Sequence, residues 1–117
     1  MKFDNTYVNI DLDAISANYR VIREKAGVPV MAVIKADAYG HGALAYALEL
    51  ERLGIADAFA VAVVEEARIL RRGGIRGMIV ILGDAREGSL REAVRLGASQ
   101  ALDSAEALLV LQDEAQK

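Results

Sequence analysis

MAVIKADAYGHG occupies positions 31–42. Its apolar half belongs to a run, Val30 to Ile34, that follows Gly27 and Pro29 and stops at Lys35. The run is too short for a helix and is flanked by breakers, so it reads as a buried strand. The polar half, Lys35 to Gly42, is a loop. Beyond it, Ala43 to Leu53 sets Leu44, Ala47 and Leu48 on one stripe and Tyr46, Leu50 and Leu53 beside it, with Gly54 as the stop. Strand, loop and helix in that order make a βα unit.

The same unit recurs on both sides. Upstream, Tyr7, Val8, Ile10 and Leu12 read as a leader strand. A helix follows, with Ile15, Tyr19, Ile22 and Ala26 on its stripe and Asp11 or Asp13 as its cap. Downstream, Phe59 to Val64 reads as a strand and Glu65 to Arg72 as a helix stopped by Gly73 and Gly74. Met78 to Leu82 is the next strand, and Ser89 with Glu92 forms a capping box for a helix that Gly97 ends. Gln100 to Leu102 is a short strand, and Ser104 caps a last helix with Ala105, Leu108 and Leu109 on its stripe. A period of roughly 20 to 25 residues, about the length of a compact βα unit, yields about four such units and a parallel sheet. Two architectures accept them, a doubly wound open sheet and a (β/α)8 barrel. A barrel needs about 250 residues, so as barrel material the chain is about half of one.

The 117 residues carry 14 Lys plus Arg against 17 Asp plus Glu, a net charge of -3, and fit a single domain. With a pI near 5.1 there is no broad basic surface, which argues against nucleic acid as a partner. No cysteine and one histidine remove disulfides, thiol nucleophiles and Cys/His zinc sites. The longest apolar run, Ala58 to Val64, falls short of the roughly 18 residues of a membrane span. The first residues have no apolar core of a signal peptide, so the expectation is a cytoplasmic protein without membrane contact.

Lys35 is an odd terminus for an apolar strand. Desolvation near apolar walls lowers a lysine pKa from about 10.4 and favours the nucleophilic neutral amine. The carboxyl end of a parallel strand is also where both architectures build their sites, and Schiff-base chemistry is the natural use of such an amine. The competing reading is a strand-end lysine that reaches back to solvent.

The residues around it favour the first reading. MAVIKADAYGHG is similar, position by position, to the cofactor-lysine motif of bacterial alanine racemases. VNIDLDAISANYRVIR, FAVAVVEEARILRRGG and MIVILG resemble the same family, so the likeness covers nearly the whole chain. Ornithine decarboxylase-like enzymes and small pyridoxal phosphate homeostasis proteins share the strand-end lysine but lack AYGHG.

The resemblance implies an α/β fold, with residues 1–117 as a single domain forming the amino-terminal part of a TIM-type (β/α)8 barrel: a leader strand over 1–12 and βα units over 13–117. It implies pyridoxal 5'-phosphate as cofactor, alanine as substrate, a homodimer, and two-base proton transfer at Cα. Lys35 would hold the cofactor and act as one acid/base group, Tyr39 would bind its phosphate, and Val33 and Leu82 would line its pocket. The opposing base, a tyrosine, comes in that family from a carboxy-terminal domain across a dimer interface. A non-catalytic pyridoxal phosphate-binding protein and an engineered half-barrel module are the alternative readings. His41 reads as orienting backbone, while Gly40 and Gly42 permit a tight turn. Glu65, Glu66, Asp84 and Asp103 follow strands and read as helix-capping acids, and Arg71, Arg72, Arg76 and Arg86 as solvated charges.

Overall fold

The computed structural model describes residues 6–117. Helix α1 (Leu12–Ala26) starts where the Asp11 carboxylate accepts the Ala14 N–H at 2.9 Å and ends at Gly27, whose φ of 65° supplies the left-handed cap. There follow β1 (Met31–Val33), a one-turn element α2 (Lys35–Tyr39), α3 (Ala43–Arg52), β2 (Ala58–Val61), α4 (Val64–Arg72), β3 (Ile79–Ile81), α5 (Glu87–Arg95), β4 (Ser99–Gln100) and α6 (Ala105–Ala115). All four strands are parallel and lie in sequence order, as in a barrel wall and unlike a doubly wound sheet, whose order reverses.

The ladder register sorts the side chains. Ala32 pairs with Phe59 and Phe59 with Ile79, while Val33 pairs with Ala60 and Ala60 with Val80. One face thus carries Ala32, Ile34, Phe59, Val61, Ile79 and Ile81, all buried, and forms the core with Ala47, Leu50, Ala67 and Leu70 of α3 and α4. The other face carries Met31, Val33, Met78 and Leu82, between 40% and 52% exposed. In a closed barrel this second face is the packed interior; four strands leave it open.

Several expected boundaries move. No strand forms at Tyr7 to Ile10: among the described residues of the leader the backbone is irregular, and Tyr7 and Val8 are exposed. A lone extended segment has no ladder partner to hold it. The first five residues of the 1–12 leader lie outside the described residues. Strand β2 ends at Val61 instead of Val64, because the Ala62 and Val63 N–H groups are taken by the Glu66 carboxylate. Helix α5 starts at Glu87, so Ser89 is not its cap. Ser89 is buried in the first turn, and Glu92 instead grips Arg68 of α4 at 2.5 and 2.6 Å.

In α6, Leu108 and Leu109 are exposed, and the buried positions are Ala107 and Glu114. The helix docks on α5 largely through charge: Glu114 accepts from Arg91, Arg95 and Lys117. Hydrogen bonds from Lys117 and Arg91 hold its carboxyl at about 2.

The amino ends of the strands carry a polar staple. Asp57 accepts from Arg23 Nε at 2.7 Å and from the Val30 N–H at 2.9 Å, while the Tyr19 hydroxyl donates to the Val30 carbonyl at 2.7 Å. Arg23, then the Val30 N–H, draw the Asp57 carboxyl down to about 2. This staple sits at the end of the sheet opposite Lys35, where barrel proteins keep stability and not chemistry. Arg71 is a second staple, not a solvated charge: it donates to the carbonyls of Ile75, Gly77, Leu96 and Gly97. Arg86 is exposed, as are Arg72 and Arg76, and its ion pair with Asp84 holds that carboxyl at about 2.

Candidate functional site

Lys35 follows β1 at its carboxyl end and is half-buried. It joins none of the ion pairs among the described residues. Alternation along β1 sets Val33 on the open face of the sheet, and the ladder carries that face across Ala60 to Val80 and on to Leu82. Val33 and Leu82 are 45% and 46% exposed, so neither is core in this chain. Val33 and Leu82 therefore share one face of the sheet, and Lys35 stands at the carboxyl end of β1.

The residues after the lysine are not a plain loop. Ala36, Asp37 and Ala38 have φ between 50° and 55° and ψ between 41° and 49°, and Tyr39 has φ of 54°. Four consecutive non-glycine residues thus form a turn of left-handed helix, a conformation costing roughly 1–2 kcal/mol per residue. Strain of that kind persists only where surrounding contacts over-determine it.

Those contacts are specific. The Ala38 N–H donates to the Ile34 carbonyl at 2.9 Å, and the Gly40 and Gly42 N–H groups donate to the Asp37 carbonyl at 3.1 and 2.9 Å. The Asp37 carboxylate accepts the Ala43 N–H at 2.8 Å, capping α3. His41 donates to the Ala38 carbonyl from its backbone N–H at 3.1 Å and approaches it with Nδ1 at 2.9 Å, so it orients backbone as expected. Gly40 and Gly42 take φ of 88° and 84°, which closes the turn into α3. Tyr39 ends the turn 63% exposed.

Glu66 contributes what sequence reasoning gave only as capping. One carboxylate oxygen accepts the Ala62 N–H at 2.7 Å in its own helix cap; the other accepts the Ala36 N–H, also at 2.7 Å. Glu65 and Asp103 are exposed and touch none of these groups. Among the described residues no group of three or more His, Cys, Asp or Glu could hold a metal ion. What the face offers is an amine, a phenol and an apolar wall, a set suited to an aromatic aldehyde bearing an anion. No helix of the described residues is long and apolar enough to cross a membrane.

Comparison with known proteins agrees with this arrangement. Residues 10–117 match the family described as alanine racemase, N-terminal domain. The alanine racemase of Pseudomonas fluorescens is 54% identical over 80 residues, covering 68% of this chain and 22% of that protein. That of Citrifermentans bemidjiense is 42% identical over 112 residues, covering 94% and 29%. The crystal structure of alanine racemase from Streptomyces lavendulae superposes with a TM-score of 0.83 at 37% identity, covering 92% of this chain and 28% of that one. The chain thus spans less than a third of the length of the proteins it matches, in the part that begins their barrel, and it belongs to the alanine racemase N-terminal domain family.

Proposed function

We propose that the chain is the lysine-bearing segment of a pyridoxal phosphate-dependent alanine racemase. The observation that supports this reading is the position of Lys35 at the carboxyl end of β1, followed at once by a left-handed turn that ends at an exposed Tyr39. Pyridoxal phosphate, when bound, supplies the electron sink that makes the Cα proton of an amino acid labile. The chain's own residues do the rest. Lys35 Nζ would hold the cofactor's aldehyde carbon, with water leaving, and, once a substrate amine displaces it, would take or return the Cα proton on one face of the substrate. The Tyr39 phenol would donate to the phosphate, and Val33 and Leu82 would line the side of the ring.

Borohydride trapping tests this. The chain has four lysines, Lys2, Lys25, Lys35 and Lys117. After incubation with pyridoxal phosphate and reduction, peptide mass mapping is expected to place the label at Lys35, with Tyr39→Phe weakening capture. Label spread over all four lysines, unchanged in its total when Lys35 becomes Ala, would refute the assignment.

The same reading makes the chain self-associating. Met31, Val33, Met78 and Leu82 form an open apolar face, and β1 and β4 each present an unpaired edge. A second copy can cover both, so sedimentation at micromolar concentration is expected to give twice the 12.6 kDa chain mass. A compact monomer that binds no hydrophobic dye would show that the sheet tolerates its open face.

A further inference from the structure

We propose that Glu66 is a positioning residue for Lys35: its carboxylate fixes the left-handed turn from which the lysine is presented. The inference rests on the reading of Lys35 as the cofactor lysine, but its geometry stands independently. A glutamate in the first turn of α4 needs one oxygen to satisfy the N–H groups at its own helix start, and Glu66 Oε2 does this with Ala62 at 2.7 Å and Val63 at 3.4 Å. Oε1 is surplus to capping. It accepts the N–H of Ala36, thirty residues away and on another strand's exit, at 2.7 Å. Ala36 is the first residue with positive φ, and its N–H belongs to the peptide bond that follows Lys35. Fixing that N–H fixes the peptide plane, and with it the ψ of Lys35 and the direction in which its side chain departs. One carboxylate therefore ties the exits of two neighbouring strands, and the strained turn is clamped at its first residue.

Glu66→Gln probes the clamp with little change of shape. An amide has one acceptor oxygen, so it can keep the Ala62 contact or the Ala36 contact but not both. Amide hydrogen exchange by NMR is the primary measurement. Exchange from Ala36 to Gly42 is expected to speed up at least tenfold, while α4, β2 and β3 keep wild-type protection. Trapping of pyridoxal phosphate at Lys35 is expected to need at least tenfold more cofactor, with the melting temperature nearly unchanged. Glu65→Gln, altering an exposed neighbour, is expected to match wild type in both. Wild-type exchange across Ala36–Gly42 in Glu66→Gln would overturn the proposal. So would a uniform loss of protection through α4 and β2, the mark of a merely structural cap. Should the wild-type chain not trap pyridoxal phosphate at Lys35, the cofactor reading falls, while the exchange pattern still decides the role of Glu66.

Discussion

The chain by itself is expected to form D-alanine from L-alanine at least 10²- to 10⁴-fold more slowly than an ordinary enzyme turning over about ten times per second. One general acid/base group contributes a factor of that size, and inversion at Cα needs such a group on each face of the substrate. The site face of this chain supplies one, Lys35. Tyr39 stands four residues along the same turn, and His41 is engaged with the Ala38 carbonyl. On the proposed reading, in which Lys35 works one face of the substrate, neither of them is the opposing base. The racemases it matches have more than three times its matched length, room for a second base. A coupled D-alanine oxidation assay measures this. Turnover near one per second would mean that a residue of this chain serves both faces, and loss of any residual rate in Lys35→Ala would assign that rate to the lysine.

Why the site was partly legible and partly hidden follows from the kind of signal each residue carries. Strand-end Lys35, the apolar run before it and the two glycines after it announce themselves by composition, because a cation after buried aliphatics is unusual and glycine is the residue that enters positive φ freely. The parallel order of strands was legible because apolar runs and helical stripes alternate. The left-handed turn was not. Alanine at Ala36 and Ala38 has no preference for positive φ; the hydrogen bonds of residues 34–43 and the Glu66 carboxylate hold it there. Glu66 looked like a capping acid because its local partner is all that sequence spacing reveals; its second partner lies across the sheet. The stripe of α6 was misassigned for a related reason. Helical period finds an apolar face, but Glu114 and its arginines decide which face meets α5.

The two faces of the sheet should also separate stability from cofactor binding. Phe59 is fully buried on the helix-facing side of β2, between Ala32 and Ile79 in the ladder and among the side chains of the core. Replacing it with Ala removes a ring from a close-packed site and leaves a cavity, at a cost of about 3–5 kcal/mol. Domains of this size hold only about 5–15 kcal/mol in total, and one with an open sheet face has little surplus. Phe59→Ala is therefore expected to lower the urea midpoint severely or to prevent folding, and Phe59→Leu, which refills most of the cavity, to lose much less. Val33 is on the opposite face of the neighbouring strand and 45% exposed. Val33→Ala removes two methyl groups that are already partly wet, so it should cost about 1 kcal/mol or less, yet it strips the wall beside Lys35 and should weaken pyridoxal phosphate capture. Urea melts and cofactor titration of both variants make the comparison. Equal destabilisation by the two substitutions would mean that the face bearing Lys35 is as well packed in solution as the core, and that the open-barrel picture of this chain is wrong.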